Sequence, residues 1–112
     1  MRLTFAARVA IIGEMTRDDV ARKIRDNADA VHAPGVARLR LFGSVLTETA
    51  ADGIDIDLLV DFRPGEKGFG NYMDLRILLE DLFPGRRIDL VTTESLHPRL
   101  RSGVIAQAEH VA

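Results

Sequence analysis

From Thr16 to Val31 the apolar positions Val20, Ile24, Ala28 and Val31 return at helical spacing. Thr16 offers a capping hydroxyl, and Asp18 and Asp19 place acids in the first turn, where the helix dipole favours them. Pro34-Gly35 stops the run, so one core-packing helix is expected here. The pattern then changes period. In Val36 to Phe42, Arg38 and Arg40 alternate with Leu39 and Leu41, which reads as a strand with one apolar face. Gly43-Ser44 ends it, residues 45–51 allow a short helix, and Asp52-Gly53 reads as a turn. Ile54 to Phe62 is the clearest strand in the chain: Ile54, Ile56 and Leu58 point one way, and Asp55, Asp57 and Leu59 the other.

Arg63 to Gly70 is rich in glycine and proline and reads as a mobile loop. Asn71 then caps a helix with Leu75, Leu78, Leu79 and Leu82 on one face and an Arg76/Glu80 pair outside. Tyr72, at the start of that helix, reads as partly buried. Pro84-Gly85 closes the helix. Ile88 to Thr92 gives a third strand, and Pro98 to Ala108 a last helix with Leu100, Val104, Ile105 and Ala108 inward. Helices must cover the apolar side of so small a sheet. The expected architecture is therefore α+β (an α/β two-layer domain), with about three strands against about four helices. Residues 16–112 make the domain, and residues 1–15 an N-terminal extension compatible with helix or strand.

Composition narrows the function classes. The 112 residues suit one core, and 46% apolar with 29% charged residues is the balance of a globular domain. The net charge of −2 supplies no global field to draw in nucleic acid or an anionic membrane, so direct nucleic-acid binding is not expected. Short basic pairs (Arg38 and Arg40, Arg86 and Arg87, Arg99 and Arg101) read as solvated faces. With no cysteine, disulfides, thiol chemistry and Cys-ligated zinc are excluded. The apolar stretch Leu3–Ile12 is interrupted by Arg8 and is too short to span a bilayer; a cytoplasmic protein is the expectation. His32, His97 and His110 are too scattered for a shared metal site.

Three features demand chemistry. Asp55 and Asp57, at i and i+2 of a strand, project from one face about 7 Å apart along the backbone. Aspartate is disfavoured inside strands, and like charges on one face repel unless a cation or water intervenes. Mg²⁺ favours such a site, with one or two carboxylates completed by phosphate oxygens and water. Gly43-Ser44 lets a phosphate approach the backbone and offers it a hydroxyl and amide. Asp89 lies opposite the face shared by Ile88 and Leu90; beside the Ile54–Phe62 strand it would join the other acids. Three acids can seat two metal ions about 4 Å apart, as in phosphoryl transfer.

Gly43-Ser44, ten intervening residues and Asp55-Ile56-Asp57 resemble the signature of the nucleotidyltransferase superfamily that includes DNA polymerase beta. Leu41-Phe42-Gly43-Ser44, Asp55 to Phe62 and Ile88 to Thr92 are similar to the minimal nucleotidyltransferase (MNT) group, from about Val20 to the C-terminus. The resemblance implies a nucleotidyltransferase fold with a small mixed sheet. It implies metal-dependent transfer of a nucleoside monophosphate, usually AMP from ATP, onto a hydroxyl. Gly43 and Ser44 would hold the triphosphate, Asp55 and Asp57 two Mg²⁺ ions, and Asp89 would complete a metal site and help deprotonate the acceptor. MNT proteins are often antitoxins paired with a HEPN-domain ribonuclease toxin, which some of them silence by AMP addition. Where the group typically has Gly-Ser-x-Ala-Arg-Gly, this chain has Thr47 for the arginine and Glu48 for the second glycine, and Ile54 replaces the usual serine. Thr47 removes a bidentate phosphate contact, which keeps a second reading open: a non-catalytic antitoxin acting by occlusion. So small a domain is also expected to complete its site with a partner protein or a second copy.

Overall fold

The computed structural model describes residues 16–42 and 56–112. The expectations for residues 1–15, the helix at 45–51, the turn at Asp52-Gly53 and the strand start at Ile54 lie outside that range. The described elements are α1 (Arg17–Asp26), α2 (Ala28–His32), β1 (Val36–Phe42), β2 (Ile56–Phe62), α3 (Phe69–Leu82), β3 (Ile88–Thr92), a 3₁₀ turn (Thr93–Ser95), α4 (Pro98–Gln107) and β4 (Glu109–His110). The sheet order is β3-β2-β1-β4. β1 runs antiparallel to both β2 and β4, whereas β2 and β3 are parallel, joined through the crossover helix α3.

Local chemistry explains the boundaries. Thr16 caps α1 in a full capping box: its hydroxyl accepts from the Asp19 N–H at 3.2 Å, and the Asp19 carboxylate accepts from the Thr16 N–H at 3.0 Å. The single expected helix is two. At Asn27 the backbone leaves helical geometry (φ −113°, ψ 25°), and the side-chain amide donates to the Lys23 carbonyl at 2.7 Å. This local bond competes with helix continuation. Gly35, at φ +87°, makes the turn into β1 in the left-handed region that glycine enters without strain.

β1 holds a bulge. Val36 pairs with Phe62 but Arg38 with Asp61, so Ala37 is one residue too many on its strand. The extra residue rotates Val36 into the core with Leu39 and Leu41, where strict alternation would have left it on the arginine face. The core lies on one side of the sheet. There Leu39, Leu41, Ile56, Leu58, Val60, Ile88, Leu90 and Val111 meet Val20, Ala21, Ile24, Val31, Leu75, Leu79 and Phe83, all nearly inaccessible to water. α1, α2 and α3 thus form the second layer. Tyr72 is partly buried, as expected, and its hydroxyl donates to the Leu90 carbonyl at 2.7 Å, fixing α3 to β3.

Further details differ from the sequence expectation. α3 starts at Phe69 behind Gly68, which provides no side-chain cap, so Asn71 sits inside the first turn. Its amide instead donates to the Glu66 carbonyl at 2.6 Å. In the preceding loop the Arg63 N–H bonds to the Gly35 carbonyl (2.8 Å) and Lys67 pairs with Glu94 (3.3 Å). α4 buries no residue and Leu100 is 61% exposed; Val104, Ile105 and Ala108 are only half-buried. The Arg101 guanidinium donates to the Glu94 and Leu96 carbonyls, tying the helix to the segment before it.

The fourth strand differs too. β4 is too short for periodicity to reveal, yet Arg17 and Arg25 of α1 clamp Glu109 at 3.5 and 3.4 Å. Backbone bonds between Leu39 and the Val111–Ala112 pair then extend the contact, and Val111 enters the core. Among the described residues no helix is long and apolar enough to cross a membrane.

Candidate active site

The parallel pairing of β2 and β3 sets the position of the acids. Ile56 pairs with Ile88, Asp57 with Asp89 and Leu58 with Leu90. Because side chains alternate along each strand, the isoleucines and leucines fill the core and the two aspartates share the opposite face. In register on adjacent strands, their backbones are about 4.8 Å apart. Asp57 is half-buried in the sheet interior; Asp89, on the edge strand, is exposed. The condition set from sequence for Asp89, that its strand lie beside the one bearing Asp57, is met.

Of the five residues singled out, the structure brings these two together. Gly43, Ser44 and Asp55 lie outside the described residues, but their immediate neighbours flank the pair. Phe42, the residue before Gly43, pairs with Asp57 across β1 and β2. Ile56, the residue after Asp55, donates its N–H to the Arg87 carbonyl at 2.8 Å, just ahead of β3. Among the described residues no group of three His, Cys, Asp or Glu side chains converges. Asp57 and Asp89 are a pair of hard oxygen donors on one face, a donor set suited to Mg²⁺ and unsuited to soft metals.

The same face carries a feature that sequence reading missed. Arg40 donates to the Asp61 carboxylate at 2.8 Å, and the two side chains are 12% and 27% exposed. Between Asp57 and Asp61, Leu59 is fully buried. Alternation along β2 did place Asp61 on the face of Asp57, but its partner became identifiable only with the β1–β2 register. The histidines serve the backbone separately: His32 Nδ1 lies 2.9 Å from the Val36 carbonyl, His97 Nδ1 accepts from the Arg99 N–H at 3.1 Å, and His110 Nε2 lies 2.9 Å from the Ala112 carbonyl.

With that geometry in view, known proteins give the same outline. The family model "Nucleotidyltransferase domain" matches residues 21–108. The protein "Putative protein adenylyltransferase MJ0435" of Methanocaldococcus jannaschii is 34% identical over 77 residues, spanning 69% of this chain and 81% of that protein. A solved structure described as "putative minimal nucleotidyltransferase" superposes with a TM-score of 0.70 at 34% identity, covering 88% of this chain and 96% of the other. A crystal structure of a mutant toxin–antitoxin complex, MntA-HpeT, gives 0.50 at 21% identity, covering 87% and 72%, a likeness of fold alone.

Proposed function

The chain belongs to the nucleotidyltransferase domain family, and from that premise we propose that it transfers AMP from ATP to a hydroxyl of a partner protein. The observation that carries the reading is the in-register pairing of Asp57 with Asp89 on the sheet face away from the core. Two carboxylates so placed are costly to the fold and useful to a polyphosphate site. The relative named as a protein adenylyltransferase supports a protein acceptor. The toxin–antitoxin neighbour supports the choice of a toxin, which we take to be of the HEPN class.

In this proposal Asp55, Asp57 and Asp89 hold divalent metal, and Gly43 and Ser44 hold the triphosphate. Bound Mg²⁺ supplies charge neutralisation for the triphosphate and polarises its α-phosphoryl group. In this reading Asp89, exposed on the edge strand, receives the acceptor proton. The acceptor oxygen attacks the α-phosphorus, the bond to the bridging oxygen breaks, and pyrophosphate leaves with the bonding pair. The rate comes mainly from positioning and electrostatics, since no covalent intermediate with the protein is required.

Thr47 and Glu48, where the family places an arginine and a glycine, favour a second reading in which the domain silences its partner by occlusion. One experiment separates the two. The protein is incubated with ATP labelled on the α-phosphate, Mg²⁺ and the proteins that co-purify with it. Transfer predicts label in a partner, lost in Asp57→Asn at unchanged circular dichroism; equal labelling by both proteins rejects it. Tight partner binding with no heat on titration with MgATP selects occlusion.

A further inference from the structure

α3 buries Leu75 and Leu79 against the sheet, and its opposite side is not uniformly polar. Phe69 is 81% exposed and Ile77 51%, with the half-buried Met73 between them at four-residue steps. Such steps keep side chains on one side of a helix, so the three form an apolar stripe about 12 Å long. Large apolar groups in a row on the surface mark a place where another segment docks. Asp74 and Asp81, both exposed, stand three residues before Ile77 and four after it, and so border the stripe with negative charge. Among the described residues neither is ion-paired, and the single arginine of α3, Arg76, pairs with Glu80 at 3.9 Å.

Charge argues against a second α3 as the cover. Two copies packed antiparallel, stripe to stripe, would line up the Asp74 and Asp81 carboxylates of both along one side of the seam, in a chain whose net charge is already −2. An apolar segment that carries positive charge fits better, and the chain has one. The fifteen residues ahead of Thr16 hold Leu3, Phe5, Val9, Ile11 and Ile12, with Arg2 and Arg8 against the lone acid Glu14. Reach is sufficient, since fifteen residues extend to about 50 Å. The helix they lead into, α1, covers the same face of the sheet as α3. Its Lys23 Nζ lies 5.7 Å from the ring centroid of Phe83, just past the end of α3.

We propose that residues 1–15 dock on the exposed side of α3 in the same chain, seating their apolar side chains on Phe69, Met73 and Ile77 and pairing Arg2 and Arg8 with Asp74 and Asp81. The segment thereby braces the crossover helix that sets β2 beside β3, and with it the register that pairs Asp57 with Asp89.

The chain has no cysteine, so Thr4→Cys takes a nitroxide label at a single position of the whole chain. Proton–nitrogen correlation spectra are recorded with the label oxidised and then reduced. Docking predicts loss of amide intensity at Met73, Ile77 and Asp81 in the oxidised sample, abolished in Phe69→Ala/Ile77→Ala and weakened in Asp74→Lys/Asp81→Lys. The replaced side chains are all at least half exposed, so both variants keep their circular dichroism. Intensity unchanged at all three amides overturns the proposal, as does a loss that persists in the alanine variant. A loss that appears when spin-labelled chains are mixed with isotope-labelled chains free of nitroxide also overturns it, because it assigns the contact to a second copy. A further readout needs no label: in the otherwise unmodified chain, Phe69→Ala/Ile77→Ala shifts the amide signals of Leu3 to Ile12, distant in sequence. Signals that stay in place refute the docking.

Discussion

Neutralising Asp89 should make the metal-free protein more stable and the metal-loaded protein less so. The perturbation is Asp89→Asn, which removes a charge while keeping shape and an equally poor strand propensity. Asp57 and Asp89 are register partners on adjacent strands, which puts their carboxylates about 6 Å apart once they splay. At that distance two unit charges repel by about 0.7 kcal/mol in a water-like medium and about 3 kcal/mol at an effective dielectric of 20. Asp89 is exposed, so the lower figure applies, and physiological salt reduces it to roughly 0.3 kcal/mol. The unfolded chain feels less of this repulsion because the two residues are far apart in sequence. The variant should therefore melt about 1–2 °C above wild type in a chelating buffer.

Metal reverses the order. At a Mg²⁺ concentration about ten times its dissociation constant, wild type gains about 1.4 kcal/mol, or roughly 6–11 °C for a domain of this size. Asp89→Asn should gain little. The assay is thermal unfolding by circular dichroism, in chelator and in a Mg²⁺ series, and its signature is a crossing of the two melting temperatures. An Asn variant that melts below wild type in chelator refutes the repulsion argument. Equal Mg²⁺ stabilisation of both proteins refutes the role of Asp89 in binding metal.

Gly35→Ala should be among the more damaging small substitutions, since the new Cβ at φ +87° would stand 2.6 Å from the Glu66 Cβ. The left-handed backbone alone costs about 1–2 kcal/mol and the clash adds to it, so the urea midpoint should fall clearly; an unchanged midpoint contradicts the turn geometry. Glu94 carries a pH dependence: a hydrogen bond from its own backbone N–H, opposed by desolvation and reinforced by Lys67 and Thr92, holds its carboxyl below the usual 4.5. A depressed folded-state pKa gives stability that is present above the unfolded value and lost as pH falls through the folded one. Glu94→Gln should therefore be slightly less stable than wild type at pH 7 and match it near pH 2, as comparison of urea unfolding at the two pH values would show. The effect is small because both partners of the Lys67 ion pair are more than half exposed.

How far the sequence foretold this molecule depends on the range of the interaction that decides each feature. Thr16 with Asp19, the run through Val20 and Ile24, and the apolar–acid alternation about Asp57 are settled within a few residues, and the structure reproduces them. Asp89 needed one more fact, the adjacency of two strands that are far apart in sequence, and the crossover through α3 supplies it. Features decided by distant partners were not legible. β4 pairs with β1, and its Glu109 meets Arg17 and Arg25, with 84 residues separating Arg25 from it; two residues leave no periodicity to read. Leu100 was placed inward on spacing alone, but with α1, α2 and α3 already covering the core face, α4 has no apolar partner there. Val36 changes face through a bulge that only the β1–β2 register discloses. The same holds for the site. Two acids on one strand announce charge, but whether a neighbouring arginine quenches that charge is a question of pairing. Arg40 shares a face with both Asp57 and Asp61, and its bond to Asp61 is disclosed only once β1 and β2 are paired.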